Sequence, residues 1–468
     1  MTGIFIFRRD LRLDDNYGLL KLQKLCDVII PIFCLDKNQI VKTKKNQYYF
    51  SNNAVQFICE SLIDLNNQLL KYGSKLRLFF GNPPEIIEKL IKKLDIKYVA
   101  FNTDFSIYSN KRDQEIKEIC ELYDITLITA NDDYTLYPLE IILRDSEKNL
   151  PFKQFGAFYK HVKDKKPNKP LHNKYHNYLG KRVKITGEYK KGLDKFYKEN
   201  KEIAQNGGRT IALKKLNNIS QYKEYDNMHD RLDYNTTNIS AALNIGCISI
   251  REAFYAIKDK TKSELLLRQL YWRDFYLCVL IYADKGNHYD YMDDRFNKIK
   301  WKNSLKDFNK LWNSQTGFLL IDACMKEMQV TGFCHNRGRL LLGIFWTKYL
   351  LINSFHPKFG SQVGYSRLLV DAIGPSQNKM NHQWLTELDY PGRQFGKGIS
   401  GRPMKVSNEQ IKKFDPYCIY IKKWLPHLKD IPNEDLFDWD GIKHTIHPKP
   451  MFDPIKKYNE WFNLTKVL

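Results

Sequence analysis

The sequence predicts a chain of two structural classes: an α/β N-terminal domain with a doubly wound parallel sheet, and a mainly α-helical C-terminal domain. Three observations predict it. The first 135 residues alternate short apolar runs with helical patterns, residues 136 to 225 are basic and polar, and from about Asn238 to Ile352 the apolar positions recur at the helical period. The expected domains are therefore 1–135, a long basic linker over 136–225, and a helical domain over 226–468.

Each element follows from its local pattern. "IFIF" (4–7), "VIIPIFCL" (28–35), "KLRLFF" (75–80), "YVAF" (98–101) and "ITLIT" (125–129) are short runs rich in β-branched and aromatic residues, which predicts strands. "AVQFICESLIDLNNQLLKYG" and "PPEIIEKLIKKL" lie between them and carry helical spacing. Parallel strands need a crossover helix, so this alternation predicts a parallel sheet, whose ligands sit beyond the carboxyl ends of the strands. No glycine-rich dinucleotide fingerprint follows the first strand, and no P-loop is present. "GKGISG" (396–401) fits the glycine spacing, but no strand precedes it and no helix opens on it, so it reads as a loop. In the second half, "ISIREAFYAIKD", "SELLLRQLYWRDFYLCVLIYA" and "GFLLIDACMKEMQV" predict helices.

Lys and Arg total 75 against 53 Asp and Glu, a net charge of +22, which favours a polyanionic partner such as nucleic acid. Residues 151 to 225 alone hold 19 Lys and Arg against 6 acids, so much of this excess fits a solvated surface segment equally well. No apolar run approaches the ~18 to 20 residues of a membrane span. The start, "MTGIFIFRRDLRLDDN", lacks a basic region before its apolar stretch, and reads as a first strand rather than a signal peptide. Nine scattered cysteines without a C-x-x-C pair predict reduced thiols in the cytoplasm or nucleus, and no metal site.

Three constellations could carry chemistry. In "TGFCHNRGRLLLGIFWTKYLLI" (331–352), Asn336 and Arg339 share a face of an otherwise apolar helix, where an unpartnered guanidinium would be costly. On the helix "SELLLRQLYWRDFYLCVLIY", Gln269, Trp272, Arg273 and Tyr276 fall at i, i+3, i+4 and i+7. That face either lines a pocket for a flat polar ligand or is a surface face with one half-buried Trp. In "YDNMHDRLDYNTTNIS" (225–240), Thr236, Thr237, Asn238 and Ser240 either cap the helix that follows or bind phosphate.

With these residues in place, the chain resembles the DNA photolyase/cryptochrome family over nearly its full length. "FRRDLRLDDN" is similar to the family's N-terminal signature, "GGRTIALKKL" to the segment before its flavin site, and "TTNIS" to its T-S-x-L-S. "QLYWRDFY" resembles its substrate-pocket helix, "TGFLLIDACMKEMQVTGFCHNRGR" its central block and "KFDPYCIYIKKWLP" its C-terminal block. The resemblance is strongest to the cyclobutane pyrimidine dimer (deoxyribodipyrimidine) photolyases.

The resemblance implies a helical domain around FAD, active as FADH⁻, and an antenna chromophore, a folate or a deazaflavin, in the N-terminal domain. It implies that Arg339 sits beside the isoalloxazine, paired with Asp371, and that Arg273 also contributes to the cofactor site. Tyr225, Thr236, Thr237, Asn238, Ile239 and Ser240 would hold the phosphates and ribityl chain. Asn378 would approach the flavin, Trp272 would stack on the flipped lesion, and Gln269, Asn336, Arg337 and Trp384 would face DNA. The implied activity is light-driven repair of UV-damaged DNA by a monomeric soluble enzyme.

The sequence departs from the family's pattern at several positions. Gln269 stands where cyclobutane-dimer photolyases have Glu and (6-4) photolyases have Gln, whereas the two histidines of (6-4) enzymes fall at Asn336 and Leu340. A (6-4) photolyase and a cryptochrome photoreceptor, including the single-strand-binding DASH type, are the competing readings. The family's tryptophan relay to the flavin falls on His382, on "INSFHPKFG" with Phe355 and Phe359, and near "HYDYMDD", none with a matching Trp. Such a relay is expected to be absent or rerouted through Trp384, Trp346 or nearby tyrosines.

Overall fold

The computed structural model describes residues 1–40, 49–131, 133–148, 150–152, 154–283, 294–371 and 406–466. They form two compact units. The first comprises Met1–Asn200, Gln205–Lys223 and Thr237–Lys285; the second comprises Lys201–Ala204, Glu224–Thr236 and Gly286–Leu468.

The five expected strands are all present in the first unit: β1 (Thr2–Phe7), β2 (Val28–Leu35), β3 (Arg77–Phe80), β4 (Tyr98–Asn102) and β5 (Thr126–Ala130). They form a parallel sheet in the order β3-β2-β1-β4-β5. Ile4 pairs with Ile30 and Val99, and Ile6 with Ile32, so residues two apart place one apolar row on the same face. Phe5, Phe7 and Ile29, on the opposite face, are also buried, as a sheet covered on both sides requires.

The crossover helices are α1 (Tyr17–Gln23), α2 (Asn52–Lys71), α3 (Pro83–Lys93) and α4 (Ile107–Leu122). Each starts at a side chain that takes up an orphan backbone N–H. Asn16, Ser51, Asn82 and Ser106 accept from Leu19, Ala54, Glu85 and Ser109 in turn. The first unit continues with α5 (Phe155–Val162), α6 (Arg209–Asn217), α7 (Ser240–Ile245), α8 (Ile250–Lys260) and α9 (Glu264–Ala283).

The compact units are drawn differently from the boundaries expected at 135 and 225. Residues 136 to 200 cluster with the sheet rather than as a separate linker. The Leu179 amide donates to the Ile29 carbonyl at 2.7 Å, and Tyr178 bridges to Ile29. Asn173 donates to the Leu13 carbonyl at 3.0 Å and to Gln23 at 3.0 Å. Backbone and amide hydrogen bonds share the docking with buried apolar side chains, among them Leu136, Ile142, Phe158 and Val162, while most of the segment's lysines stay in water.

The second unit is helical, as expected. It contains α10 (Leu305–Trp312), α11 (Leu319–Thr331), α12 (Asn336–Ile344), α13 (Ser361–Leu368), α14 (Glu409–Phe414), α15 (Ile419–Trp424) and α16 (Pro454–Lys466). A π-helical turn, Phe345–Tyr349, continues α12. Its core joins Leu320, Met325, Leu341, Ile344, Trp346, Phe414, Ile421 and Leu436. No helix among the described residues is long and apolar enough to cross a membrane, and all nine cysteines are free thiols.

Candidate functional site

The "FRRDLRLDDN" signature folds into the carboxyl end of β1 and the turn into α1. Arg12, 1% exposed, donates to Asp133 at 2.8 Å, and Arg251 donates to Asp15 at 2.8 Å. Four buried charges thus pair oppositely, which removes most of the penalty of leaving water. Arg9 contacts Asp104 at 3.1 Å, and Asn16 both caps α1 and accepts from Asn102 at 2.8 Å.

The sheet order reverses between β1 and β4, and ligands bind at such a switch point. There Arg8 lies over the Phe101 ring at 3.8 Å and pairs with Asp113, which also accepts from Arg112 at 2.9 Å. Among the described residues, Arg8 Nη2, Arg112 Nη2, Tyr134 Oη and Asp36 Oδ2 are buried without hydrogen-bond partners. Several orphaned polar atoms in one crevice are what a bound polar group would satisfy.

On α9, the four residues expected on one face have different surroundings. Gln269 is exposed, and its amide donates to the Leu265 carbonyl at 3.2 Å. Trp272 is half-buried and stacks on Phe155 with ring centroids 3.5 Å apart, with Tyr276 stacked at 5.7 Å. Arg273 donates to the Tyr134 carbonyl, and burial lowers its pKa to about 10. Its neighbour Asp274 accepts from the Leu136 amide at 2.8 Å, and burial raises its carboxyl to about 7.

A carboxyl whose folded pKa lies above its unfolded value of about 3.9 contributes stability that is full at low pH. That contribution falls as pH rises from about 4 through about 7. Asp274→Asn is expected to flatten this part of the stability profile relative to the parent, read from urea midpoints across the range. An unchanged slope would rule Asp274 out as its source.

The segment before α7 lies in the first unit from Thr237 onward and in the second up to Thr236. Its side chains do not cap α7 as one of the two expectations had it. The N-cap residue is Ile239, and the remote Gln205 accepts from the Ala241 amide at 3.0 Å and donates to Ser240 Oγ at 3.1 Å. Asn238 is held at φ 48, with Lys215 donating to its carbonyl at 2.9 Å. Its side-chain Oδ1 is buried with no hydrogen-bond partner among the described residues. A left-handed residue with an uncommitted amide suits the hydroxyls and phosphates of a dinucleotide, because one amide both accepts and donates. In the second unit, Thr236 is half-buried, and Tyr225 is buried and stacks on His229 at 5.4 Å.

The apolar α12 is initiated by His335, whose Nδ1 accepts from the Arg337 amide at 3.1 Å. Burial lowers the His335 pKa to about 4, so its ring is neutral at ordinary pH. Asn336 is exposed and so carries no burial cost, unlike Arg339 on the same helical face. Arg337 contacts Asp230 at 2.6 Å. Arg339 donates to Asp371 Oδ2 at 3.0 Å and to the Cys334 carbonyl at 2.7 Å, and lies 5.1 Å over the Phe333 ring. The Tyr365 hydroxyl donates to the Arg339 carbonyl at 3.0 Å. Leu340 is buried and makes the next position apolar. Asn378, His382 and Trp384 lie outside the described residues.

Gln205 and Asp230 were not legible as partners of the site: Gln205 stands in no motif, and Asp230, though within the 225–240 stretch, meets Arg337 only through the fold. The "RRD" after the first strand was a sign of the switch-point cluster, but Arg112 and Tyr134 reach it only through the fold.

Comparison with known proteins places these arrangements in a family. Residues 4–174 match the family model described as DNA photolyase, and residues 266–461 match the FAD binding domain of DNA photolyase. The chain is 26% identical to a deoxyribodipyrimidine photo-lyase of Synechococcus sp., covering 96% of this chain and 93% of the relative. It is 28% identical to a cryptochrome DASH of Xenopus laevis, covering 92% and 84%. The structure is similar to the archaeal photolyase of Sulfolobus tokodaii, solved with two FAD molecules, with TM-score 0.85, 28% identity and full coverage of both chains. It shares its fold with a Synechocystis cryptochrome at TM-score 0.86 and 21% identity, covering 99% of each chain. A five-stranded α/β unit, a helical FAD-binding region and matches along most of the sequence have one common source: the chain belongs to the DNA photolyase/cryptochrome family and is an FAD flavoprotein.

Proposed function

We propose that this flavoprotein repairs UV-damaged DNA in light, splitting cyclobutane pyrimidine dimers. The observation that carries the reading is the Arg339–Asp371 pair, 3.0 Å long and largely buried beside an exposed Asn336. Bound FAD in its reduced form, when excited, supplies the electron that opens the dimer. The protein supplies position and polarity. Arg339 gives a fixed positive charge, its direction held by Asp371 and the Cys334 carbonyl. Asn238 and its neighbours offer the polar groups for the phosphate and ribityl chain. Asn336 and Gln269, both exposed, present amides that can donate to pyrimidine carbonyls, Arg337 offers charge to a DNA phosphate, and Trp272 offers an aromatic face to a flipped base. Arg273 lies within the same stretch, although the Tyr134 carbonyl already takes one of its donors. Asn378 and Trp384 keep the roles the resemblance implies, near the flavin and facing DNA.

The switch-point crevice in the first unit suits an antenna chromophore, a folate or deazaflavin. Arg8 and Arg112 would meet its anionic or carbonyl groups and Tyr134 its ring edge. The enzyme acts as a soluble monomer, with the net charge of +22 favouring DNA.

The test is an absorption spectrum of the purified protein followed by illumination with a thymine-dimer oligonucleotide. Flavin bands with loss of the dimer are expected; flavin bands with an intact dimer would exclude repair. Relatives named cryptochrome DASH match about as closely as those named photo-lyase, which keeps a second reading in play. Repair confined to single-stranded substrate would favour it. Gln269→Glu is expected to preserve or modestly raise cyclobutane-dimer repair and to give no (6-4) repair. Efficient (6-4) repair by the unsubstituted protein would reverse the choice of substrate.

A further inference from the structure

We propose that Phe155 is a positioning residue for lesion recognition: it backs the Trp272 indole and presents the other indole face to an extruded pyrimidine dimer. The proposal rests on the reading that Trp272 stacks on a flipped lesion.

The two rings stand on different helices of the first unit, α5 and α9, 7° from coplanar and with centroids 3.5 Å apart. This is face-to-face contact, much closer than the edge-on rings around it. Phe155 is 7% exposed whereas Trp272 is half-buried, so Phe155 lies on the inner side and the outer indole face is left for a ligand. Tyr276, 5.7 Å from Trp272 and tilted by 23°, flanks the indole without comparable contact.

Phe155 is itself held. The fully buried Phe275 meets Phe155 and Trp272 edge-on at 5.6 and 5.7 Å, and Phe158 packs 5.5 Å from Phe275. Arg268, one turn before Trp272 on α9, lies over Phe155 at 5.5 Å and over Tyr159 at 4.9 Å. The Tyr159 hydroxyl donates to Glu264 at 2.8 Å, which ties α5 to the first residue of α9.

An indole with one side open turns about two side-chain bonds, and ordering it at the moment of binding weakens the complex. Against Phe155 the ordering is completed during folding, and the indole already lies in the plane that a base will meet. The contact also discriminates. Bases of an undamaged duplex stay stacked and do not reach the indole, whereas a lesion leaves the stack at lower cost. Phe155 therefore acts on affinity for the lesion and not on affinity for undamaged DNA.

The experiment measures binding of the holoprotein in the dark to a fluorescent duplex with and without one thymine dimer, at matched flavin occupancy. Leucine fills most of the Phe155 volume but offers no plane, and tyrosine restores the plane, which separates positioning from core packing. Phe155→Leu is expected to weaken dimer binding about tenfold and to leave undamaged binding unchanged. Phe155→Tyr should bind as the parent does. Phe155→Met, also without a ring, serves the same contrast should Phe155→Leu fail to fold. Phe152→Leu, which removes a ring packed on Phe158 instead, should match the parent. Trp272→Ala should lose the preference for the dimer. Parent-like dimer affinity in Phe155→Leu, beside its loss in Trp272→Ala, would overturn the proposal alone. Equal weakening on both duplexes in Phe155→Leu would overturn it as well, since that is the mark of general damage to the fold. A dimer preference retained in Trp272→Ala would overturn the stacking reading and the proposal together. The predicted binding pattern in a protein that leaves dimers intact in light would sink the repair reading alone.

Discussion

Arg339→Ala is expected to yield a protein that loses its flavin during purification. The guanidinium is the positive half of a largely buried pair, and removing one partner costs about 3 to 5 kcal/mol locally because the remaining carboxylate loses its counter-charge. That penalty falls on the proposed flavin site, so it should appear first as a drop in the ratio of flavin to protein absorbance and only second as a lower melting temperature. Arg339→Lys should recover part of the occupancy: it keeps the charge but cannot serve both Asp371 and the Cys334 carbonyl with one rigid fork. Full occupancy in Arg339→Ala would remove this residue from the flavin site.

The second large effect is expected in the first unit, away from Arg339. Asp133→Ala leaves Arg12, 1% exposed, without its carboxylate and removes an acceptor from the Tyr17 amide. A cost of about 3 to 5 kcal/mol follows from stranding a buried charge. The urea midpoint should fall by a corresponding amount without a change in slope. Pairing it with Arg12→Met should return part of the loss, since no guanidinium is then stranded. A double variant as unstable as the sum of the two single ones would show that the charges do not act as a pair.

Much of the fold was legible in the sequence because parallel-sheet strands and their helices are specified locally. "IFIF" and "VIIPIFCL" bury their continuous apolar runs as strands of a sheet covered on both faces, whereas the caps Asn16, Ser51, Asn82 and Ser106 emerge only in the structure. The helical character of the second half followed in the same way from its 3.6-residue period. The basic segment over 136–225 was read as a linker because its lysines dominate the composition, whereas the burial of Leu136, Ile142, Phe158 and Val162 depends on contacts distant in sequence.

The candidate site divides along the same line. Arg339 was conspicuous because a charge in an apolar helix demands a partner, and the motif resemblance pointed to Asp371, 32 residues away. Helical spacing put Asn336 on the face of Arg339 but fixes an azimuth and not a depth, and in the structure the first turn of α12 lies open. Trp272 against Phe155, Gln205 beneath Ser240, and the approach of Trp346 to Gly364 join segments that no local rule connects. The sequence by itself determined the main strands and helices and the chemistry available in each motif, all encoded within a few helical turns or strand repeats. Only the tertiary structure decided which polar groups are satisfied and which are left for a ligand, because that depends on long-range packing that brings distant residues within a few ångströms.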